Sequence, residues 1–265
     1  MTGRHLHGGR LVVDVVGVRV EVTSPVADAE SLREVLAGIA LPEPATADVT
    51  AVGLDAADSD VESVLGAAAL AAFELSPDLL VHAGAVARDG QAVLFPGVSG
   101  AGKSTMTAAC LRRGFGYLTD EMVAVDLGSG QVKGWPRPLM LTSWSVAAVG
   151  LDARPGPAKE AVDPHRLGAS VVAGPVAVGH VIAMRRGAAQ SRLHPVGADE
   201  LLGELLASSF NHYRFGVSAW EAAVRLVQSA SCWRLDVADL DSAADAVAAL
   251  PRTAMAGREQ SAIDG

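Results

Sequence analysis

The stretch AVLFPGVSGAGKSTMTAACLRR, from Ala92 to Arg113, decides the fold of this 265-residue chain. It begins with an apolar run up to Phe95 that has the length of a buried strand. Eight glycine-rich residues follow, and then a helix-forming run that Gly114 can terminate. The order of strand, glycine loop and helix predicts a loop whose backbone N–H groups surround an anion at the N-terminus of a helix.

The glycine-rich residues Gly97–Ser104 match the Walker A pattern G-x-x-x-x-G-K-[ST] at every fixed position. Lys103 is expected to reach the β- and γ-phosphates of a nucleotide, and the hydroxyl of Ser104 is expected to bind Mg²⁺. The alternative is a surface turn before a helix, but the preceding strand and the following helix favour nucleotide binding. The residues predicted to contact the nucleotide are Gly97, Val98, Ser99, Gly100, Ala101, Gly102, Lys103, Ser104 and Thr105.

The adjacent acids Asp120 and Glu121 form a second candidate group, 16 residues after Ser104. Sites of the Walker type place a carboxylate at a strand end near the Mg²⁺. Two neighbouring acids can divide the work, so that one accepts a proton and the other holds the metal. Ser104, Asp120 and Glu121 are therefore the predicted metal ligands, and an ordinary acidic turn is the alternative.

His82 lies on a predicted strand, 79–86, that Asp89 and Gly90 join to the strand before the glycine loop. Asp-Gly between two apolar runs is a strong signal for a β-hairpin. Because the strands of a hairpin are antiparallel, His82 can lie beside the γ-phosphate. The alternative is a histidine whose polar atoms are satisfied within the core.

Together these residues resemble the HPr kinase/phosphorylase family. The likeness is closest to its short actinobacterial relatives, some of which accompany peptide natural-product pathways and phosphorylate serine in a peptide. It extends over residues 78–141 and implies a mixed-sheet core similar to that of phosphoenolpyruvate carboxykinase. The segments that carry it are His82–Val86, Gly97–Ser104, Arg113–Phe115 and Leu118–Glu121.

The resemblance also implies roles for the candidate residues. Asp120 matches the aspartate that deprotonates the acceptor serine, and His82 matches the histidine near the γ-phosphate. Glu121 stands where the family has a second aspartate near the metal, and its side chain is one methylene longer. The bifunctional members carry a Glu-Ile-Arg-Gly-Leu-Gly-like segment, which Trp135–Leu139 replaces here. This departure predicts kinase activity without the reverse phosphorylase reaction and argues against HPr itself as the substrate.

Arg137, which lies between two prolines, is predicted to contact a phosphate or to clamp the substrate, with a solvated loop arginine as the alternative. Asp120, His82, Lys103 and Arg137 form the predicted catalytic set.

We expect the γ-phosphoryl group of ATP, bound with Mg²⁺, to pass to a serine hydroxyl of a peptide or protein, for which a ribosomal peptide precursor is one candidate. The alternatives are a kinase for free serine or another small alcohol, and a nucleotide-sensing module without catalysis. The choice between ATP and GTP stays open, and so does homo-oligomer formation, although relatives form rings.

The composition narrows the class of partner. The formal net charge is −9, so a general affinity for nucleic acid or anionic lipid is not expected. The longest uncharged stretch, Leu167–Met184, contains three glycines and a proline and does not suggest a membrane span. Cys110 and Cys232 have no CxxC partner and do not make a disulfide scaffold. We therefore expect a cytoplasmic protein.

The order of the predicted elements indicates an α/β protein. We predict a mixed-sheet P-loop kinase core of the HPr kinase and phosphoenolpyruvate carboxykinase type over residues 78–251. A small N-terminal α/β extension precedes it over residues 1–77, and a flexible tail follows over 252–265. Residues 136–167 are expected to be irregular, with 154–159 as a candidate lid over the substrate. A ribbon is predicted over 10–23, and one short strand is predicted within 42–58. The other predicted strands span 79–86, 91–95, 122–126, 131–135, 177–184, 192–196 and 232–237. Predicted helices span 25–39, 60–75, 103–113, 198–210, 218–230 and 242–250.

Overall fold

The structure is a computed structural model, and it describes residues 9–24, 33–34, 36–42, 45–50 and 61–253. The strands are β1 (Gly9–Val15), β2 (Val18–Ser24), β3 (Val49–Thr50), β4 (Leu79–Arg88), β5 (Gln91–Pro96), β6 (Gly116–Thr119), β7 (Met122–Val125), β8 (Val132–Gly134), β9 (Leu139–Leu141), β10 (Glu160–Val162), β11 (Ala177–Arg186), β12 (Arg192–Pro195) and β13 (Ser231–Val237). The helices are α1 (Val61–Phe73), α2 (Lys103–Leu111), α3 (Ser143–Ala148), α4 (Ala198–Ala207), α5 (Val217–Ser229) and α6 (Leu240–Ala248). Short 3₁₀ helices occur at Pro164–Leu167 and His212–Arg214.

The main sheet has the order β12-β13-β11-β5-β4-β7-β8, and β6 pairs with β4 beside this path. Strands β5, β11 and β13 are parallel to one another, whereas β4 is antiparallel to both β5 and β7. The chain is thus an α/β protein with a mixed sheet, which confirms the predicted class. Because the carboxyl ends of neighbouring parallel strands lie at one edge, the loops that follow β5, β11 and β13 are adjacent.

The hairpin between β4 and β5 forms as predicted. Asp89 and Gly90 at its tip both have positive φ values, 53° and 76°, which is the geometry of a two-residue turn that suits the twist of the paired strands. The register pairs Ala83 with Pro96. His82 therefore lies beside the point where the glycine loop leaves the sheet.

Helix α2 packs directly on β4 at Gly84. A Cβ atom added to this glycine would lie 2.6 Å from the Oγ1 atom of Thr107 and 3.4 Å from the Cβ atom of Lys103. The absence of a side chain at Gly84 lets the first turns of the helix rest against the strand, and this contact fixes Lys103 relative to the sheet.

The segment before β4 shares an apolar cluster with the main sheet. The indole of Trp135 is buried in this cluster, and its Nε1 atom donates a hydrogen bond to the carbonyl oxygen of Asp14 at 3.0 Å. Leu80 on β4 and Met122 on β7 contribute the sheet side of the cluster. Buried members from the N-terminal segment include Leu11, Val13, Val20, Leu36, Leu65 and Ala68.

Several predictions of local structure are wrong. Residues 136–167 are not irregular throughout, because β9 pairs with β10 and α3 lies between them. Strand β6 was not predicted, and α4 ends at Ala207, earlier than expected. The unpredicted elements β6, β9, α3 and β10 have three to six residues each, too few for a periodic apolar pattern, and tertiary contacts stabilise them.

Two predicted regions lie partly or wholly outside the described residues. Most of the predicted helix 25–39 falls there, and the structure describes only a helical pair, Arg33 and Glu34, and a turn over 36–39. The predicted tail is described only as far as Thr253. Among the helices of the described ranges, none combines the length and the apolar composition that crossing a lipid bilayer requires.

Candidate functional site

The glycine loop connects the end of β5 at Pro96 to the start of α2 at Lys103. Gly100 and Gly102 have φ values of 81° and 97°, a backbone conformation that residues with a Cβ atom rarely adopt. Gly102 is a fixed position of the pattern, and its φ explains why the pattern requires glycine there, whereas Gly100 occupies a variable position. The loop has the predicted place between a buried strand and the N-terminus of a helix.

The side chain of Lys103 folds back over this loop. Its Nζ atom donates hydrogen bonds to the carbonyl oxygens of Gly97 at 2.8 Å and of Val98 at 2.9 Å. Burial lowers the pKa of Lys103 to about 8, although the carboxylates of Glu121 and Asp120 act in the opposite direction. The amine therefore changes its charge within a pH range that is accessible to experiment.

The two acids of the predicted pair occupy the turn between β6 and β7 and differ in exposure. Asp120 is fully buried. Its Oδ1 atom lies 3.3 Å from the Tyr117 hydroxyl and 3.3 Å from a guanidinium nitrogen of Arg137, and its Oδ2 atom accepts a hydrogen bond of 3.3 Å from the amide of Met140. The Asp120 carboxylate is thus held on both of its oxygens.

Glu121 is the more open acid, with 34% of its side chain exposed. Its Oε1 atom lies 3.3 Å from Nε2 of His82, and its Oε2 atom accepts a hydrogen bond of 2.9 Å from Arg137. Burial alone would raise the pKa of Glu121, but the hydrogen bond from His82 and the charges of Arg137 and Lys103 lower it to about 2. Glu121 therefore stays ionised at any pH where the protein is of interest.

Arg137 joins the two acids. Its guanidinium is buried and pairs with Asp120 and Glu121, while its Nε atom has no hydrogen-bond partner among the described residues. The guanidinium carbon lies 5.7 Å from the centre of the Trp135 ring. These contacts exclude the alternative of a solvated loop arginine.

His82 lines the cleft between the acidic pair and the glycine loop, and its place beside the γ-phosphate stays a prediction. Its side chain is 16% exposed, its Nε2 atom faces Glu121, and its ring lies 5.3 Å from that of Phe210. The backbone carbonyl of His82 also accepts a hydrogen bond from the amide of Gly97 at 3.3 Å. His82 therefore contacts both the acidic pair and the start of the glycine loop.

One cleft brings most of the predicted residues together. Gly97, Val98 and Ala101, which were predicted to contact the nucleotide, do not line it. The predicted residues that do are His82, Ser99, Gly100, Gly102, Lys103, Ser104, Thr105, Asp120, Glu121 and Arg137; those that sequence reasoning missed are Met140, Thr142, Trp144, Ser145, Lys159 and Arg186.

For the basic pair Arg185 and Arg186, the sequence favours a strand-to-turn exit, with substrate binding as the alternative, and the structure places Arg186 in the cleft. Arg186 ends β11, and its guanidinium donates a hydrogen bond to the carbonyl oxygen of Gly100 in the glycine loop. The sequence shows a basic pair at the end of an apolar strand. It does not reveal that this strand lies next to β5, and only that neighbour brings Arg186 to the glycine loop.

No sequence pattern singles out Lys159 itself as a site residue. It lies in the predicted lid segment 154–159, and its ammonium group pairs with Glu62 on α1. At the other end of this segment, the Ser143 hydroxyl donates to the carbonyl oxygens of Arg154 and Gly156. The segment is therefore connected to the N-terminal part of the chain and to α3, and its movement as a lid stays a prediction.

The oxygen donors of the cleft fit Mg²⁺. Within the described part of the chain, no three His, Cys, Asp or Glu side chains lie close enough to hold a metal ion by themselves. Mg²⁺, however, is usually held by one or two protein oxygens together with substrate phosphates and water. The Ser104 hydroxyl and the Glu121 carboxylate supply such oxygens, although His82 and Arg137 already contact both oxygens of Glu121.

The remaining candidates have structural roles. Cys110 is fully buried on α2, and burial raises the pKa of its thiol to about 12. Asn211 is also buried, and its Oδ1 atom accepts a hydrogen bond of 2.8 Å from the amide of Leu80. The sequence alone favours a solvated loop between two helices for residues 211–214, but for Asn211 this is wrong, because its buried side chain holds the 3₁₀ segment against β4.

Comparison with known proteins adds no assignment. No protein-family model matches the chain, and no curated protein is significantly similar to it.

Proposed function

We propose that this protein is an ATP-dependent kinase that transfers the γ-phosphoryl group to a serine hydroxyl of a peptide or protein. The observation that carries the proposal is a single cleft shared by the glycine loop with Lys103 and by the acids Asp120 and Glu121. A phosphate-binding loop alone fits a nucleotide sensor equally well. A buried acid and an arginine beside it favour transfer to an acceptor.

The loop and Lys103 bind the phosphates in this proposal. The backbone N–H groups at the N-terminus of α2 and the Lys103 ammonium group stabilise the negative charge that spreads over the transferred group. Mg²⁺, held by Ser104 and a carboxylate, neutralises further phosphate charge when it is bound. Because phosphoryl transfer has a loose transition state, positioning and charge contribute most to the rate.

Asp120 accepts the proton of the acceptor hydroxyl in this proposal. An ordinary aspartate is far too weak a base to ionise serine beforehand, so the proton moves late in the transfer. Arg137 positions both acids, because its guanidinium contacts each of them. His82 in turn fixes the open acid, Glu121.

We assign the core to the HPr kinase and phosphoenolpyruvate carboxykinase type. The hairpin that precedes the glycine loop and the mixed sheet support this assignment. The absence of the Glu-Ile-Arg-Gly-Leu-Gly-like segment from the sequence supports a kinase without phosphorylase activity.

Calorimetric titration with MgATP tests the binding step. The wild-type protein should bind MgATP, and Lys103→Ala should weaken binding about 10- to 100-fold, the loss typical for a charged hydrogen-bonding group. Unchanged binding by this variant would argue against the loop as the phosphate site. Mass spectrometry after incubation with serine peptides in one mixture and small alcohols in another then identifies the class of acceptor.

A further inference from the structure

A second cavity borders the glycine loop at Ala101 and Gly102, and neither Asp120 nor Glu121 lines it. It shares Gly102, Thr105, Trp144 and Arg186 with the cleft described above, so the two spaces are adjacent. Its lining is mainly apolar, in contrast to the charged cleft. The apolar lining includes Met106, Met184, Val237 and Leu240.

The topology places this cavity where ligands bind in open α/β sheets. Three parallel strands end around it: β5 leads into the glycine loop, β11 ends at Arg186, and β13 ends at Val237. Ligands of such sheets occupy the crevice outside the carboxyl ends of the strands. The cavity is thus part of the same crevice as the glycine loop.

Trp144 provides an aromatic surface at the boundary between the two spaces. Its side chain is 67% exposed, unlike that of the buried Trp135. Its helix, α3, is fixed to α2, because the Ser145 hydroxyl lies 2.8 Å from the Thr105 hydroxyl. The Thr142 hydroxyl also caps α3 by accepting a hydrogen bond of 3.2 Å from the amide of Ser145. An exposed indole on an anchored helix is suited to stack on a flat ring.

We propose that this cavity binds the purine base of the nucleotide, with Trp144 stacked on the base. The inference rests on the proposed function, because it places the nucleotide phosphates in the glycine loop. It also divides the crevice: the base lies on the apolar side, and the acceptor approaches on the side of Asp120 and Glu121.

The lining favours adenine over guanine. A carboxylate that accepts hydrogen bonds from the N1–H and N2–H groups of guanine would make the site prefer guanine. Asp239 is the one carboxylate among the lining residues, and it caps α6. One of its oxygens accepts from the amide of Ser242 at 2.9 Å, and the other accepts from the Ser242 hydroxyl. Both oxygens thus already serve the cap of α6, and the lining offers guanine no second carboxylate, so apolar contact and stacking dominate the recognition.

The test compares ATP with inorganic tripolyphosphate, which has the phosphates but lacks the base. Calorimetry with Mg²⁺ gives both dissociation constants for the wild-type protein, Trp144→Ala and Trp144→Phe. We expect Trp144→Ala to weaken ATP binding by tenfold or more, the usual effect of losing one base–aromatic stack, and to leave tripolyphosphate binding unchanged. Trp144→Phe should keep most of the affinity for ATP. Trp220→Ala, which removes an exposed indole outside both spaces, is the matched control.

The outcomes separate this inference from the function on which it rests. Unchanged ATP binding by Trp144→Ala, with wild-type binding intact, overturns the base site alone. An equal loss for ATP and tripolyphosphate also overturns it, since Trp144 would then support the loop rather than the base. Failure of the wild-type protein to bind either compound overturns the proposed function and the base site together. Tighter binding of GTP than of ATP overturns the preference for adenine.

Discussion

Lys103 gives the site a pH dependence. Its pKa of about 8 means that the ammonium group, which attracts phosphate, loses its proton as the pH rises through about 8. Since kcat/KM reports the ionisation of the free enzyme, kcat/KM for ATP should fall above pH 8. If Lys103 had the ordinary pKa of a lysine, kcat/KM would stay level up to about pH 10. Lys103→Arg, which keeps its charge, should be slower but should not show this fall. A wild-type profile that stays level up to about pH 10 would contradict the prediction.

The different burial of Asp120 and Glu121 predicts different effects of removing their charges. Asp120→Asn should lower the transfer rate by about 10²- to 10⁴-fold, the usual contribution of a general base, while ATP still binds. Glu121→Gln should instead raise the Mg²⁺ concentration needed for half the maximal rate. Rates measured against Mg²⁺ concentration test both variants. Identical profiles for the two would show that the acids do not divide the work as proposed.

The contact between α2 and β4 depends on a glycine. Gly84→Ala should destabilise the fold by about 1–3 kcal/mol, because the new methyl group would lie 2.6 Å from Thr107 Oγ1 and push the helix off the strand. Gly66→Ala is the matched control, since Gly66 lies exposed in α1 with no atom near the added Cβ. This change should stabilise the fold by about 0.5–1 kcal/mol. Denaturant unfolding measures the free energy of unfolding of both variants. A change of the same sign in both would refute the packing argument.

At the level of elements, the sequence predicted what short-range signals determine. The strand before the glycine loop, the helix after it and the Asp89-Gly90 hairpin each depend on neighbouring residues, and all three form. The pairing of β9 with β10 joins residues about twenty positions apart, so no local pattern indicates it. The position of Arg186 depends on β11 lying between β5 and β13, which is a property of the whole sheet. The unequal burial of Asp120 and Glu121 likewise depends on Arg137, which reaches both acids from another segment of the chain.

On the scale of the whole molecule, the cluster around Trp135 predicts that the N-terminal segment and the main sheet unfold together. Trp135→Ala should lower the free energy of unfolding by about 3–5 kcal/mol, because it removes a fully buried indole from a cluster shared by both parts. Trp220→Ala, at an exposed position, should change it by less than about 0.5 kcal/mol. Circular dichroism and tryptophan fluorescence should report one coincident transition. Two separate transitions, of which Trp135→Ala shifts only the first, would show independent domains.

The central claim is phosphoryl transfer from ATP to an alcohol, and phosphorus NMR follows that transfer directly. Wild-type protein, MgATP and a library of serine peptides and small alcohols should give a phosphomonoester signal that grows as the γ-phosphate signal declines. Asp120→Asn should still bind ATP but give this signal at a rate lower by about 10²-fold or more. If the wild-type protein yields only inorganic phosphate, or no change, with every acceptor, the chain is not the kinase proposed here.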